Sequence, residues 1–386
     1  MKKRKVLFFA DGLYGGGAER VLQTILKYLN KDLFDVTLYS VKEETLNDLY
    51  PYNINYRYVF HRRNQNDGIL MRFKKKVVNK FKLWIYYHLS PTVFYFLFVK
   101  GKYDVEVAFI EGYATRIVSG STNKESKKIA WVHTDLEKNH WTQIAYKNMR
   151  EEQNVYQRYD MIVTVSNAVK EVVNRIFKIN ESHLKTIYNP IDADEILNKS
   201  RIKMVLPRKL HNIRLVSIGR LVQQKAYYRL LRIINRLVQE SYSIELWILG
   251  EGGERKFLED YIKRNHLEDL VTLWGFQTNP YAYLSHCDLF VCSSFIEGYS
   301  TAVTEALIVG LPIVTTECAG MKELLDNGKY GLITENSEDS LYWGMKKMLD
   351  NPLLLTYYRN QTSNRAKDFS IGNMLRPIEQ LLQRSK

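Results

Sequence analysis

The chain has 386 residues, 45% hydrophobic and 25% charged, enough for two or three domains with cores of their own. Its 56 Lys and Arg exceed 42 Asp and Glu unevenly: residues 1–190 hold 31 against 19, residues 191–386 hold 25 against 23. Three cysteines without zinc-ligand spacing exclude a disulfide scaffold and favour a reducing compartment, and 13% aromatic content without a low-complexity tract excludes a disordered chain.

The start MKKRK-VLFFA has the basic and apolar parts of a signal peptide, but its five apolar residues fall short of the ~7–15 that such a segment needs. Residues 6–10 therefore read as a first strand. The loop Gly12–Arg20, with Gly15, Gly16 and Gly17, then leads into a helix from about Ala18. It is either a plain glycine turn or a phosphate cradle at a helix N-terminus, and its spacing is not that of a dinucleotide fingerprint. A second strand runs over 35–41. Residues 61–82 hold Arg62, Arg63, Arg72, Lys74, Lys75, Lys76, Lys80 and Lys82 against one acid, Asp67. Next comes an aromatic stretch, 83–99, which includes Trp84 and is broken by His88 and Pro91, too short to cross a membrane. Basic residues beside aromatics suit a segment lying on an anionic bilayer; the competing readings are an exposed basic helix followed by a buried one, or a nucleic-acid surface.

Strands follow at 105–110, 129–133, 162–166 and 185–189. His133 ends one of them, at the edge where doubly wound folds bind ligands, with Asp135 two residues on. Residues 192–211 are polar and strand-poor and place the domain joint. Their Asp192-x-Asp194 has no third ligand nearby, so no metal site is assigned. The strand series restarts at 213–219 and ends in Gly219-Arg220, with Lys225 before a helix over 226–240. A guanidinium and an ammonium there fit a diphosphate or simply a solvated surface. Further strands lie at 244–250, 270–275, 289–294, 312–316 and 331–334. Between them, Glu297 follows a strand, Ser300 can cap a helix, and Glu305 sits inside that helix among apolar residues, where a carboxylate needs a partner. Sugar or ribose hydroxyls would serve, as would a helix cap and a Lys or Arg. Strands alternating with helices, twice over, predict an α/β chain of two doubly wound Rossmann-like domains facing across a cleft. The domains are placed at 1–195 and 196–386, with the last helix crossing back.

The segments GGGAERV (15–21), WVHTD (131–135), VTVSNAV (163–169), IYNPID (187–192), SIGRLVQQK (217–225), ILGEG (248–252), GFQTNPYAYL (275–284) and the run from Phe295 to Val314 resemble glycosyltransferase family 4, the retaining transferases of GT-B architecture, over nearly the whole chain. Glu297 and Glu305 match the family's E-x7-E pattern. The resemblance implies that Arg220 and Lys225 hold a donor diphosphate with amides around Gly16, Glu305 a ribose, and Glu297 with Gly298, Tyr299, Ser300 and Thr301 the donor sugar. It places His133 beside that sugar, and Gly250, Glu251, Gly252 and Phe276 around the base. The family often has Gly after the lysine; here it is Ala226, expected to matter little.

The nearest resemblance is to bacterial enzymes of capsule, exopolysaccharide and lipopolysaccharide synthesis. It implies retaining, metal-independent transfer from a nucleoside-diphosphate sugar, most commonly a UDP-sugar, to a lipid-linked oligosaccharide. No cofactor and no nucleic-acid partner are implied, and the site is the inner face of the cell membrane, approached from the cytoplasm. A nucleotide-sugar epimerase of similar fold and a non-catalytic nucleotide-sugar-binding protein are the alternatives.

Overall fold

The twelve short apolar runs read from the sequence all form parallel strands in the computed structural model, which describes residues 2–13, 16–44, 54–62 and 67–384. The chain divides into two units, residues 1–190 with 372–386, and residues 191–371. In the first unit the strands are β1 (Arg4–Ala10), β2 (Phe34–Lys42), β3 (Asn55–Phe60), β4 (Val105–Ala108), β5 (Lys127–Val132), β6 (Met161–Thr164) and β7 (Leu184–Thr186), in the order β3-β2-β1-β4-β5-β6-β7. β3 is the strand that the apolar pattern does not reveal. It lies at the sheet edge, where Tyr56, Tyr58 and Phe60 are half-buried and Asn55 and Arg57 face water, so it lacks the two-sided hydrophobicity of its neighbours. The helices that matter here are α1 (Gly17–Tyr28), α2 (Ile69–His88) and α3 (Pro91–Phe98). The break between α2 and α3 falls at Leu89 and Ser90, where Ser90 Oγ accepts from Val93 N at 3.4 Å and Pro91 opens the next helix.

The second unit orders its strands β10-β9-β8-β11-β12-β13: β8 (Ile213–Ile218), β9 (Ile244–Leu249), β10 (Val271–Gly275), β11 (Leu289–Cys292), β12 (Ile313–Thr316) and β13 (Leu332–Thr334). Its helices include α4 (Ala193–Ser200), α5 (Tyr227–Gln239) and α6 (Thr301–Val309). Leu230, Ile233, Ile234 and Leu237 of α5 pack with Leu246, Ile248 and Val291 of the strands in one core. The joint expected at 195/196 moves to 190/191. It would cut α4, whose buried Ala193 and Ile196 belong to a helix packed on α6 of the second unit.

The last helix, α7 (Ile371–Gln383), contributes residues 372 onward to the first unit. There Lys127 Nζ donates to Leu381 O at 3.2 Å, and Asn30 N to Glu379 Oε1 at 3.1 Å. Residues 372–386 carry three basic side chains and one acid, so the first unit holds the entire +14 and the second, with 22 of each sign, is neutral. In both sheets the order reverses beside the unit's first strand, between β1 and β4 and between β8 and β11. Loops leaving such a point diverge and open a crevice at the strand C-termini.

Candidate functional site

In the second unit the loops after β8, β9 and β11 meet at the reversal point. Lys225 Nζ lies 2.6 Å from Glu297 Oε1, joining groups 72 residues apart with side chains 18% and 9% exposed. Ser294 Oγ donates to the same carboxylate oxygen at 2.6 Å, and Ser293 Oγ donates to Lys225 O at 2.9 Å. Burial works against the Lys225 ammonium, but Glu297 beside it more than offsets that and holds its pKa above the usual lysine value. Arg220 stands exposed nearby, and among the described residues it has no ion-pair partner. Ser300 caps α6, its Oγ accepting from Val303 N at 3.4 Å, and Tyr299 is buried against the loop while Thr301 is half-buried. Glu305, one turn into α6 and 3% exposed, accepts from Tyr281 Oη at 3.4 Å.

Gly250 and Gly252 let the loops after β8 and β9 close on each other. Leu221 N donates to Glu251 O at 2.9 Å and Glu254 N to Leu221 O at 2.9 Å. A Cβ on Gly250 (φ +145°) would stand 1.9 Å from Gly219 O, and one on Gly252 would stand 2.3 Å from Leu221 O. The Glu251 carboxylate is engaged by Arg255 at 2.6 Å, and Phe276 lies exposed just past β10. Ala226 sits in the left-handed region (φ +52°) at the head of α5, a conformation that costs an L-residue about 1–2 kcal/mol. The departure from glycine there is therefore not neutral, because the position itself is one that glycine suits.

In the first unit the reversal point gathers Asp11 after β1, Glu111 beyond β4 and His133 after β5. His133 Nε2 donates to Phe109 O at 2.8 Å, its backbone N–H donates to Glu111 Oε2 at 3.1 Å, and Nδ1 is buried with no partner among the described residues. The Phe109 carbonyl only accepts, so the Nε2–H tautomer is fixed and Nδ1 is a bare acceptor. Burial lowers the His133 pKa against the opposing pull of Glu111. Asp11, which sequence reading passed over, is pushed up to about 7 by burial and by Glu19 and Glu111, against Lys42. Gly16 and Gly17 form the N-terminus of α1, with no side chain capping it among the described residues; Gly15 lies outside them. Asp135 accepts from Glu137 N at 3.1 Å within its own turn, and Asp192 caps α4 through Glu195 N at 2.9 Å.

Two family models match, Glycosyltransferase Family 4 over residues 15–195 and Glycosyl transferases group 1 over residues 198–369. The chain belongs to glycosyltransferase family 4. Among its relatives is an N-acetylgalactosamine-N,N'-diacetylbacillosaminyl-diphospho-undecaprenol 4-alpha-N-acetylgalactosaminyltransferase of Campylobacter jejuni, 29% identical across 95% of this chain and 96% of that one. A lipopolysaccharide core biosynthesis glycosyltransferase of Rhizobium meliloti is 30% identical over 36% of this chain and 40% of its own. The crystal structure of Anabaena HepE in complex with UDP-glucose superposes with a TM-score of 0.75 at 19% identity, covering 98% of this chain and 99% of that one. The chain is thus a glycosyltransferase with the two Rossmann-like domains of GT-B enzymes.

The basic segment of the transferase sorts by direction. Arg62, Arg72, Lys74, Lys76 and Lys80 are exposed, and Arg63 lies outside the described residues. Two lysines turn inward: Lys75 pairs with Asp67 at 2.9 Å, and Lys82 donates to Val59 O at 2.5 Å, burial lowering its pKa. These two are corrected from surface ligands to structural anchors. The outward face of α2 is apolar, with Leu70 82%, Phe73 64%, Phe81 60% and Trp84 53% exposed at helical spacing. Among the described residues no helix is long and apolar enough to cross a membrane.

Proposed function

We propose that this chain transfers a sugar, with retention, from a nucleoside-diphosphate sugar to a lipid-linked glycan in surface-polysaccharide synthesis. The observation that carries the reading is the convergence of Arg220, Lys225, Glu297 and Glu305 at the strand ends of the second sheet, on loops closed by Gly250 and Gly252. Arg220 and the free protons of Lys225 are suited to the departing diphosphate, whose charge fixed cations stabilise without a divalent ion. Glu305 would accept from a ribose hydroxyl, and Glu297 with Gly298, Tyr299 and Ser300 would bind the donor sugar. A UDP-sugar is the donor proposed, in keeping with the HepE complex. The base would lie by Glu251 and Phe276.

The first unit carries the acceptor side. The Campylobacter relative is named for a diphospho-undecaprenol substrate, which supports an acceptor of that class here. The first unit holds all the excess positive charge, and α2 presents apolar and basic side chains together, as peripheral attachment to an anionic inner-membrane face requires. His133, neutral with a bare Nδ1, is suited to accept from a sugar hydroxyl.

The test is a thermal-shift screen against nucleotide sugars followed by a transfer assay with the matching donor, an undecaprenyl-diphosphate oligosaccharide and a chelator. Stabilisation by one donor and metal-free product with the donor's anomeric configuration support the reading. A donor that binds but is only rearranged, or no product with any lipid-linked acceptor, overturns it.

A further inference from the structure

Arg229, in the first turn of α5, is a charge that the mechanism above leaves unused. Its side chain is buried, the whole residue being 5% exposed, and among the described residues no carboxylate lies within ion-pairing distance. Its partners are neutral. One terminal nitrogen donates to Asn336 Oδ1 at 3.0 Å, the other to Ser294 O at 3.3 Å and, more closely, to Ser293 O. The guanidinium stacks on the Phe295 ring at 4.4 Å, and its Nε has no partner among the described residues. A buried cation with no carboxylate in contact is costly, and burial lowers its pKa against the weaker, more distant pull of Glu338.

The carbonyls that Arg229 holds belong to two residues whose hydroxyls reach the donor site, Ser293 to Lys225 O and Ser294 to Glu297 Oε1. Other groups tie down the same backbone: Thr316 Oγ1 donates to Ser294 O at 2.6 Å, and Asn336 Nδ2 to Phe295 O at 2.9 Å. From the opposite side, Phe295 N donates to Gln224 O at 2.9 Å and Gln224 Nε2 to Ile296 O at 2.8 Å. Arg229 is the charged member of this clamp and the one that spans two successive carbonyls.

We propose that Arg229 is a positioning residue: it fixes the Ser293–Ser294 turn so that Lys225 and Glu297 are held together, and its charge, which no carboxylate contacts among the described residues, favours an anionic group at the ends of β8 and β11. The inference rests on the donor-site reading only for its kinetic consequence. The geometric part concerns the Lys225–Glu297 pair itself.

The experiment compares Arg229→Ala and Arg229→Lys with wild type, each confirmed folded by circular dichroism. A fixed turn lost beneath reacting groups costs roughly 10- to 100-fold in rate. Arg229→Ala is expected to lower kcat and raise the donor KM, and millimolar guanidinium to restore part of kcat, which a merely structural lesion would not allow. Arg229→Lys, which keeps the charge but cannot span both carbonyls and Asn336, is expected to recover KM more than kcat. Donor kinetics within twofold of wild type in folded Arg229→Lys and Arg229→Ala overturn the proposal. A second readout needs no donor: the stability coupling between Lys225 and Glu297, from Lys225→Met and Glu297→Gln, is measured again in the Arg229→Lys background. A coupling reduced by half or more supports positioning; an unchanged coupling overturns it, whatever the sugar proves to be.

Discussion

Lys225→Met tests whether the central pair is the joined, water-poor contact that the geometry describes. The ammonium and carboxylate are 2.6 Å apart with side chains 18% and 9% exposed, so removing the lysine strands a mostly buried Glu297 with the Ser294 hydroxyl at its Oε1. Stranding one member of a fully buried pair costs about 3–5 kcal/mol; the residual exposure here brings the expectation to about 2–3 kcal/mol. For a unit of this size each kcal/mol moves Tm by about 2–4 °C, so the second unit's transition should fall by about 4–12 °C. Glu297→Gln added to Lys225→Met removes the stranded charge, keeps the Ser294 hydrogen bond and should recover most of the loss. Urea unfolding at pH 7.5 measures both. The folded pKa of Lys225 lies above its unfolded value, so the stabilisation is fully present below the unfolded lysine pKa and is lost only as pH rises through the folded one. Lys225→Met and the double variant agreeing within about 0.5 kcal/mol would refute the reasoning, because the carboxylate would then be solvated rather than paired.

Three further outcomes are expected. Asp11, raised to about 7, keeps a proton between about pH 4 and 7 that the unfolded chain has released, so wild type loses stability as pH rises through that window; Asp11→Asn should flatten this slope and gain up to about 4 kcal/mol at pH 8, read from Tm against pH. Gly250→Ala drives a Cβ onto backbone at 1.9 Å in a conformation L-residues avoid, and should cost about 3 kcal/mol or more in urea unfolding together with nucleotide-sugar binding by calorimetry. Replacing Phe73, Phe81 and Trp84 by Ser should abolish flotation with anionic liposomes while Lys74→Gln with Lys80→Gln only weakens it, and only at low salt; the reverse pattern would make attachment purely electrostatic.

Much of the site was legible because it is local. Glu297, Ser300 and Glu305 share one strand–loop–helix unit, so their spacing alone puts a cap and a buried carboxylate on the same helix. Arg220 and Lys225 follow directly from a strand end. Arg229 was not legible, since an arginine beside Leu230 and Leu231 on an amphipathic helix reads as a snorkelling surface residue until the carbonyls it meets, 64 and 65 residues on, are brought beneath it. Lys75 and Lys82 read as surface charge for the same reason: only packing reveals which lysines of a basic helix turn inward.

What the sequence determined by itself was the alternation of apolar runs with amphipathic helices, and hence two parallel sheets with candidate groups at the strand ends, because period and composition are properties of neighbouring residues. Tertiary structure decided the rest. It set Lys225 against Glu297 across 72 residues, lifted Asp11 to about 7 by burial among Glu19 and Glu111, paired the half-exposed edge strand β3 with β2, and returned residues 372–386 to the first unit, which thereby holds the whole net charge. Each depends on distance or dielectric between segments far apart in the chain, and no local pattern encodes either.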